Sequence, residues 1–196
     1  MEPAPEKLLQ AARTEFLRNG YKKTSVADIA AAAGLAVGSV YKYYPSKKEL
    51  FFDIYFAENA AVKDQAARTT DWDQPREAMM HVIHHFAAAT QENKILQAWD
   101  DPKMGPELHA ESLTRCQESD FKTFLAAQVP RWQEAGQIPP EFSSEFLEEL
   151  LDTINQIEIF VEARVAIKQL IYEALLEKVF PLAGAGDPSV RRSEQQ

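Results

Sequence analysis

Apolar residues recur every three or four positions along most of the chain, the spacing that places them on one face of a helix. Leu8, Leu9, Ala12, Phe16 and Leu17 form the first stripe, closed by Asn19-Gly20. Val26, Ile29, Ala30 and Ala33 form the second, on a helix too short to offer much contact surface. The small residues from Ala30 to Ala33 let another helix come close. Gly34 is where this helix must stop, because glycine takes left-handed backbone angles without a Cβ clash. Leu35 is expected to plug the corner from inside. A third helix is predicted from near Val37 to Tyr43 or Tyr44, with Val40 turned to the core, and Pro45 prevents its easy continuation.

Capping signals sharpen these boundaries. Ser25 with Asp28 three positions later is a capping box, in which each side chain satisfies an otherwise unpaired backbone N–H. Thr24 is an equally placed N-cap. Ser46 and Glu49 repeat the box and open a helix predicted to run to about Arg68, with Leu50, Phe51, Ile54, Tyr55 and Ala61 on its inner side. Thr69 to Pro75 is a break. A helix follows from about Pro75 to Glu92, then a short one around Ile95 to Trp99 and a loop from Asp100 to Pro106. Helix resumes from Glu107 to about Ala135 with a bend near Pro130, and breaks again at Gly136 to Pro140. From Ser143 to Phe180 the chain is almost continuously helix-forming, divided near Phe160 to Ala166. No alternating strand pattern appears beyond residue 55, so the fold class is all-α.

The stretch from Thr24 to Leu50, TSVADIAAAAGLAVGSVYKYYPSKKEL, thus reads as two short helices joined by a tight turn, with a third launched behind them. That is the sequence form of a helix-turn-helix DNA reader. Val37, Gly38 and Ser39 are small and lie at the N-terminal end of the second helix, the end that enters the major groove. Tyr41, Lys42, Tyr43 and Tyr44 offer phenolic hydroxyls and an ammonium to phosphates at the groove's rim. Lys47 falls in the first turn of the following helix, where a cation opposes the helix dipole and invites an anion.

Residues 7 to 55, KLLQAARTEFLRNGYKKTSVADIAAAAGLAVGSVYKYYPSKKELFFDIY, resemble the DNA-binding region of TetR-family (tetracycline-repressor-type) transcriptional regulators. The resemblance implies an all-helical homodimer of about nine helices: an N-terminal three-helix helix-turn-helix domain and about six more helices for ligand binding and dimerisation. By position it makes Thr24, Tyr41, Tyr43 and Lys47 phosphate contacts and turns Val37, Gly38, Ser39 and Lys42 toward the bases. Two positions depart from the family's habit. Ala36 stands where serine or threonine is common, which weakens an N-cap, and Tyr44-Pro45 stands where phenylalanine and a non-proline are usual.

Charge placement changes what the composition means. The chain carries a formal net charge of −9, which taken in bulk argues against a DNA binder. Residues 1 to 50, however, hold 8 Lys/Arg against 5 Asp/Glu, a net of +3, leaving −12 on the remainder. A local basic footprint is enough for DNA, and acidity elsewhere suppresses adventitious sticking. The footprint is modest, so affinity is expected to rest on two copies binding together. The single cysteine, Cys116, excludes an intramolecular disulfide and cysteine-rich metal sites. No leading apolar segment suggests secretion and no run has the length of a membrane span, which agrees with a cytoplasmic protein. The expected domains are 1–50 for DNA, 51–184 for effector binding and dimerisation, and 185–196 as a flexible tail.

The effector chamber is expected between about 75 and 170, from residues that pair apolar surface with a polar handle: His85, Trp99, Met104, His109, Phe121 and Phe124, with His81, Phe86, Trp132 and Tyr172 as further candidates. The stripe Phe146, Leu147, Leu150, Leu151, Ile154, Ile157, Val161 and the stripe Ile167, Leu170, Ile171, Ala174, Leu175, Val179 either fill the monomer's core or meet a second copy; the family resemblance favours dimerisation. His81 and His85, one turn apart in HVIHH with His84 between them, form the one metal-like arrangement. A third ligand must come from elsewhere, such as Asp100, Asp101 or His109, and polar pocket histidines are the favoured reading, so no metal or cofactor is expected. No nucleophile elbow, phosphate loop or paired catalytic carboxylates stand in a plausible setting, since Gly38-Ser39 lacks the second glycine of G-x-S-x-G. The expected function is a homodimeric repressor that binds a palindromic operator and is released by a small-molecule effector. The alternatives are an activator or adaptor with the same headpiece, or a helical enzyme.

Overall fold

A computed structural model describes residues 5–115, 120–147 and 164–180; side chains at 113, 120–123, 164–170 and 172 fall outside the description. The described residues are helical throughout, with turns between helices and no strand. They run α1 (Glu6–Lys23), α2 (Val26–Ala33), α3 (Val37–Tyr43), α4 (Lys47–Thr69), α5 (Pro75–Glu92), a 3-10 turn (Leu96–Asp100), α6 (Met104–Arg115), α7 (Asp120–Glu134) and α8 (Arg164–Val179). A further helical stretch covers 144–147. Of the division expected near Phe160 to Ala166, only the start of α8 at Arg164 is described; the stripe residues from Leu150 to Val161 lie outside the described residues, as do Cys116 and the segment 185–196.

Two compact units emerge. The first joins Met1–Arg68 with Ile83–Gln117, and the second joins Thr69–Val82 with Glu118–Gln196. The core of the first is built on α1 and α4. Leu8, Ala12 and Phe16 of α1 meet Leu50, Phe51, Ile54 and Tyr55 of α4, with Ile29, Ala30 and Val40 supplied by the two short helices. Phe16 and Phe51 meet edge to face at 4.9 Å, and Tyr21 tilts against Phe51 at the same distance. Phe16 and Phe51, both fully buried, each contribute about 1.5–3 kcal/mol through burial, while Tyr21 is half-buried beside them. Ala61 is exposed; Ala66 is the buried small residue further along α4. In the second unit Ala78, Met79 and Val82 of α5, Leu125, Val129 and Trp132 of α7, and Leu176, Val179 and Phe180 at the end of α8 are buried.

The expected loop from Asp100 to Pro106 is shorter than the sequence suggests. Asp101 Oδ1 accepts from the backbone N–H groups of Lys103 and Met104 at 3.0 and 3.1 Å, so the aspartate caps a helix that already begins at Met104. Pro106 then sits in a first turn, where its missing N–H costs nothing. Gly105 is required there, because a Cβ would lie 2.2 Å from the Trp99 carbonyl oxygen. Pro130 lies inside α7, near its end.

Candidate nucleic-acid interface

The corner between α2 and α3 follows from local chemistry. Ser25 Oγ accepts from the Asp28 N–H at 3.1 Å and Asp28 Oδ2 accepts from the Ser25 N–H at 3.0 Å, which settles the N-cap in favour of Ser25 over Thr24. The Ser25 hydroxyl, donating to Asp28 Oδ2 at 2.6 Å, and then the Ser25 N–H hold the Asp28 carboxyl below its ordinary range. Gly34 takes φ 67° and ψ 34°, and Leu35 N–H closes onto the Ala30 carbonyl at 2.8 Å. Ala36 stands at the N-cap of α3 and offers no side-chain bond. At the head of α4, Ser46 Oγ accepts from Glu49 N–H at 3.1 Å. The Glu49 carboxylate lies 3.6 Å from Arg115, so among the described contacts only the serine half of that box is made.

α3 buries Val40 and exposes the opposite face. Val37 is 41% exposed and Tyr41, one turn on, is 50% exposed. Gly38 and Lys42 are exposed and Ser39 is half-buried. A Cβ at Gly38 would meet nothing within 4 Å, so no contact inside the chain requires glycine there. A helix-interior glycine costs about 0.5–1 kcal/mol against alanine; here that cost has no internal return. Tyr43 packs partly against the core, and Tyr44 turns away from the surface to donate to Asp53.

Two residues assigned to phosphates take unexpected positions. Thr24 is 2% exposed, and the single proton of its hydroxyl is within donating reach of two carbonyls, Gly20 at 2.8 Å and Glu15 at 3.1 Å. Its side chain ties the end of α1 to the start of α2 and does not reach the surface. Lys47 donates to the carbonyls of Tyr21 and Thr24, both at 2.9 Å, and lies 4.2 Å from the centre of the Tyr21 ring. Partial burial draws its pKa below that of a free lysine. One N–H of the ammonium remains for an outside acceptor.

The basic footprint is smaller than the sequence count. Arg13 pairs with Glu58, Arg18 with Glu15, Lys22 with Asp101 and Lys48 with Glu107. Lys7, Lys23 and Lys42 are exposed and have no carboxylate partner among the described residues. Arg115 on α6 reaches Asp53 and Glu49 of α4 as well as Glu111. Glu58, 9% exposed, receives both Arg13 and Asn93 Nδ2 (2.7 Å), while Asn93 Oδ1 accepts from Ile95 and Leu96 N–H. These partners are 35 and 45 residues from Glu58, and nothing in the local sequence signals them.

The effector candidates divide between the two units. In the first, Trp99 stacks on Tyr55 at 6.2 Å and meets His109 edge-on at 5.9 Å, with Met104 buried and His85 half-buried. In the second, Phe124 meets Trp72 at 4.8 Å, and Trp72 stacks on Trp132 at 6.1 Å. The side chain of Phe121 lies outside the described set. Thr69 Oγ1 and His81 Nε2 are 3.4 Å apart, and no group of three or more His, Cys, Asp or Glu among the described residues is placed to hold a metal ion. No helix among them is long and apolar enough to cross a membrane.

Comparison with known proteins agrees with this geometry. Residues 8–54 match the family described as bacterial regulatory proteins, tetR family. Among solved structures, Thermus thermophilus FadR in complex with lauroyl-CoA is 22% identical with a TM-score of 0.61, covering 93% of this chain and 98% of that one. RolR in complex with resorcinol is 17% identical with a TM-score of 0.59, covering 96% and 90%. The fatty acid degradation regulator FadR of Bacillus halodurans is 18% identical with a TM-score of 0.54, covering 90% and 97%. Each likeness is one of fold over nearly the whole chain.

Proposed function

We propose that this chain, a member of the TetR family of DNA-binding transcriptional regulators, is a repressor that holds a palindromic operator as a homodimer and releases it when a small molecule binds its helical body. The observation that carries the reading is the outward face of α3. Val37, Gly38 and Tyr41 are exposed on one short helix, with a glycine that nothing inside the chain requires. A surface with little bulk at its leading end lets the helix backbone come close to base edges, and Tyr41 and Lys42 reach phosphates behind it.

The small set of unpaired lysines supports pairing of two copies, because one headpiece neutralises few phosphates. Phe146 is 41% exposed and lies 5.2 Å from Phe142, while Leu147 beside it is buried. An exposed phenylalanine at the start of the first apolar stripe fits a face that a second copy covers. The Thermus protein is described as a repressor in complex with lauroyl-CoA and RolR as a complex with resorcinol. This is the precedent for reading residues of the helical body as effector contacts here, either the group Trp99, Met104, His109 and His85 of the first unit or, separately, Phe124 of the second.

Selection from a random duplex pool tests the whole reading. Enrichment of a palindrome whose half-sites sit about ten base pairs apart supports a dimeric operator reader. Retention of single half-sites overturns the dimer, and a pool that stays random overturns the DNA reading.

A further inference from the structure

Arg76 stands in the first turn of α5, in the second unit, next to buried Pro75 and one turn from buried Met79. Its Nη1 is sealed from solvent and makes no hydrogen bond. Arg13, Arg18, Arg115 and Arg131 each face a carboxylate, whereas Arg76 joins no ion pair among the described residues. A lysine in that position could shed its proton; a guanidinium cannot, so the charge persists. The positive end of the α5 macrodipole adds to the cost. An interior water would satisfy one N–H without neutralising anything. An anion resolves all three difficulties.

The acidic residues nearby are turned to other tasks. Asp73 Oδ1 lies 3.8 Å from Arg131, Asp71 Oδ1 accepts from Asp73 N–H at 3.1 Å, and Glu77 is exposed. The segment leading into Arg76 is pinned: the Trp72 carbonyl accepts from Trp132 Nε1 at 2.8 Å and the Asp73 carbonyl from Gln137 Nε2 at 2.9 Å. Trp72, four residues before Arg76, meets Phe124 edge-on, and both rings are only half-buried. One unit therefore holds a half-buried guanidinium with one sealed, unbonded nitrogen and no ion pair among the described residues, and an aromatic pair that is partly uncovered.

We propose that Arg76 anchors the anionic group of the small molecule to which this regulator responds, a carboxylate carried on an apolar or aromatic body that lies against Trp72 and Phe124. The proposal rests on the effector-released reading above and names the ligand's chemical class. A carboxylate suits the guanidinium because its two oxygens match the fork of N–H donors; a phosphate monoester shares that chemistry.

The test uses the full chain and its Arg76→Met and Arg76→Lys variants, with binding read by tryptophan fluorescence and melting. The probes are octanoate and phenylacetate, each beside its primary amide, together with octyl phosphate and inorganic phosphate. In chloride buffer without these anions, Arg76→Met is expected to melt above the parent protein, because an uncompensated charge is removed. A carboxylate is expected to raise the parent's melting temperature, to bind Arg76→Met at least about tenfold more weakly and to recover part of that loss in Arg76→Lys. The amides should not distinguish the variants. Octyl phosphate binding above the carboxylates would leave the anchor in place and overturn the carboxylate; inorganic phosphate binding as tightly as either would overturn the apolar body. The anchor itself is overturned if Arg76→Met melts below the parent, if it binds the carboxylates with unchanged affinity, or if none of the anions stabilises the parent. Operator affinity measured in the same titrations separates the two layers. A carboxylate held through Arg76 that leaves operator binding unchanged overturns the effector reading and keeps the site. A neutral amide that releases operator equally from the parent and Arg76→Met keeps that reading and overturns the anchor.

Discussion

The Tyr44 hydroxyl donates to Asp53 Oδ2 at 2.8 Å, tying the residue that ends α3 to the second turn of α4. The other oxygen of the same carboxylate receives Arg115 from α6. Burial and then the Asp53 carboxylate push the Tyr44 pKa well above that of a free tyrosine, so the phenol stays protonated and remains a donor. Tyr44 therefore ties the end of α3 to α4, while Tyr41 of α3 faces outward.

Tyr44→Phe removes that donor and leaves Asp53 with Arg115. Stability is expected to fall by about 1 kcal/mol, with operator affinity little changed once the protein is folded. Tyr41→Ala is expected to do the reverse, weakening operator binding without moving the melting temperature. Thermal melts beside gel-shift titrations decide it, and the reverse assignment would show that the two tyrosines have exchanged roles.

Lys47 joins two carbonyls that nothing else in the described structure satisfies by a side chain, so it holds the corner between α1 and α2 as well as offering one N–H outward. Lys47→Met is expected to cost roughly 1 kcal/mol of stability and to reduce the salt slope of operator binding by about one. A loss of stability with an unchanged slope would make Lys47 a corner brace with no phosphate contact.

The two open and closed glycines make a matched pair. At Gly38 an added methyl meets nothing, so Gly38→Ala is expected to stabilise the free protein by about 0.5–1 kcal/mol while weakening operator binding. At Gly105 the methyl would collide with the Trp99 carbonyl, so Gly105→Ala is expected to destabilise by about 1–3 kcal/mol. Operator affinity that is unaffected by Gly38→Ala would mean that DNA does not approach that surface.

Lys22 draws the Asp101 pKa below its ordinary value, with the Met104 and Lys103 N–H groups helping. A carboxyl whose folded pKa is depressed adds stability above its unfolded value, about 3.9, and loses it as pH falls through the folded one. Asparagine caps a helix about as well as aspartate, so Asp101→Asn isolates the charge. The variant is expected to be less stable than the parent at pH 7 and indistinguishable from it well below pH 3.9. A gap that persists in acid would assign the effect to the cap geometry.

Much of the headpiece is determined by sequence alone, because its rules act within a few residues. Ser25 and Asp28 find each other three positions apart, Gly34 alone takes the left-handed corner cheaply, and Val40 must face inward once α3 forms. The helix boundaries of α4 and α5 follow for the same reason. Tertiary structure decided where the polar side chains spend their bonds. Thr24 looks like a surface hydroxyl until the end of α1 closes over it, and Lys47 looks like a free cation until carbonyls 23 and 26 residues away come within 2.9 Å. Lys22 and Lys48 meet carboxylates 79 and 59 residues further on, which shrinks a basic footprint that a count of charges overstates. Arg76 is the converse: its sequence neighbours include two aspartates and a glutamate, yet none turns toward it. Periodicity and capping report on contacts along one helix, whereas burial and pairing depend on which distant segment arrives, and only the folded chain settles that.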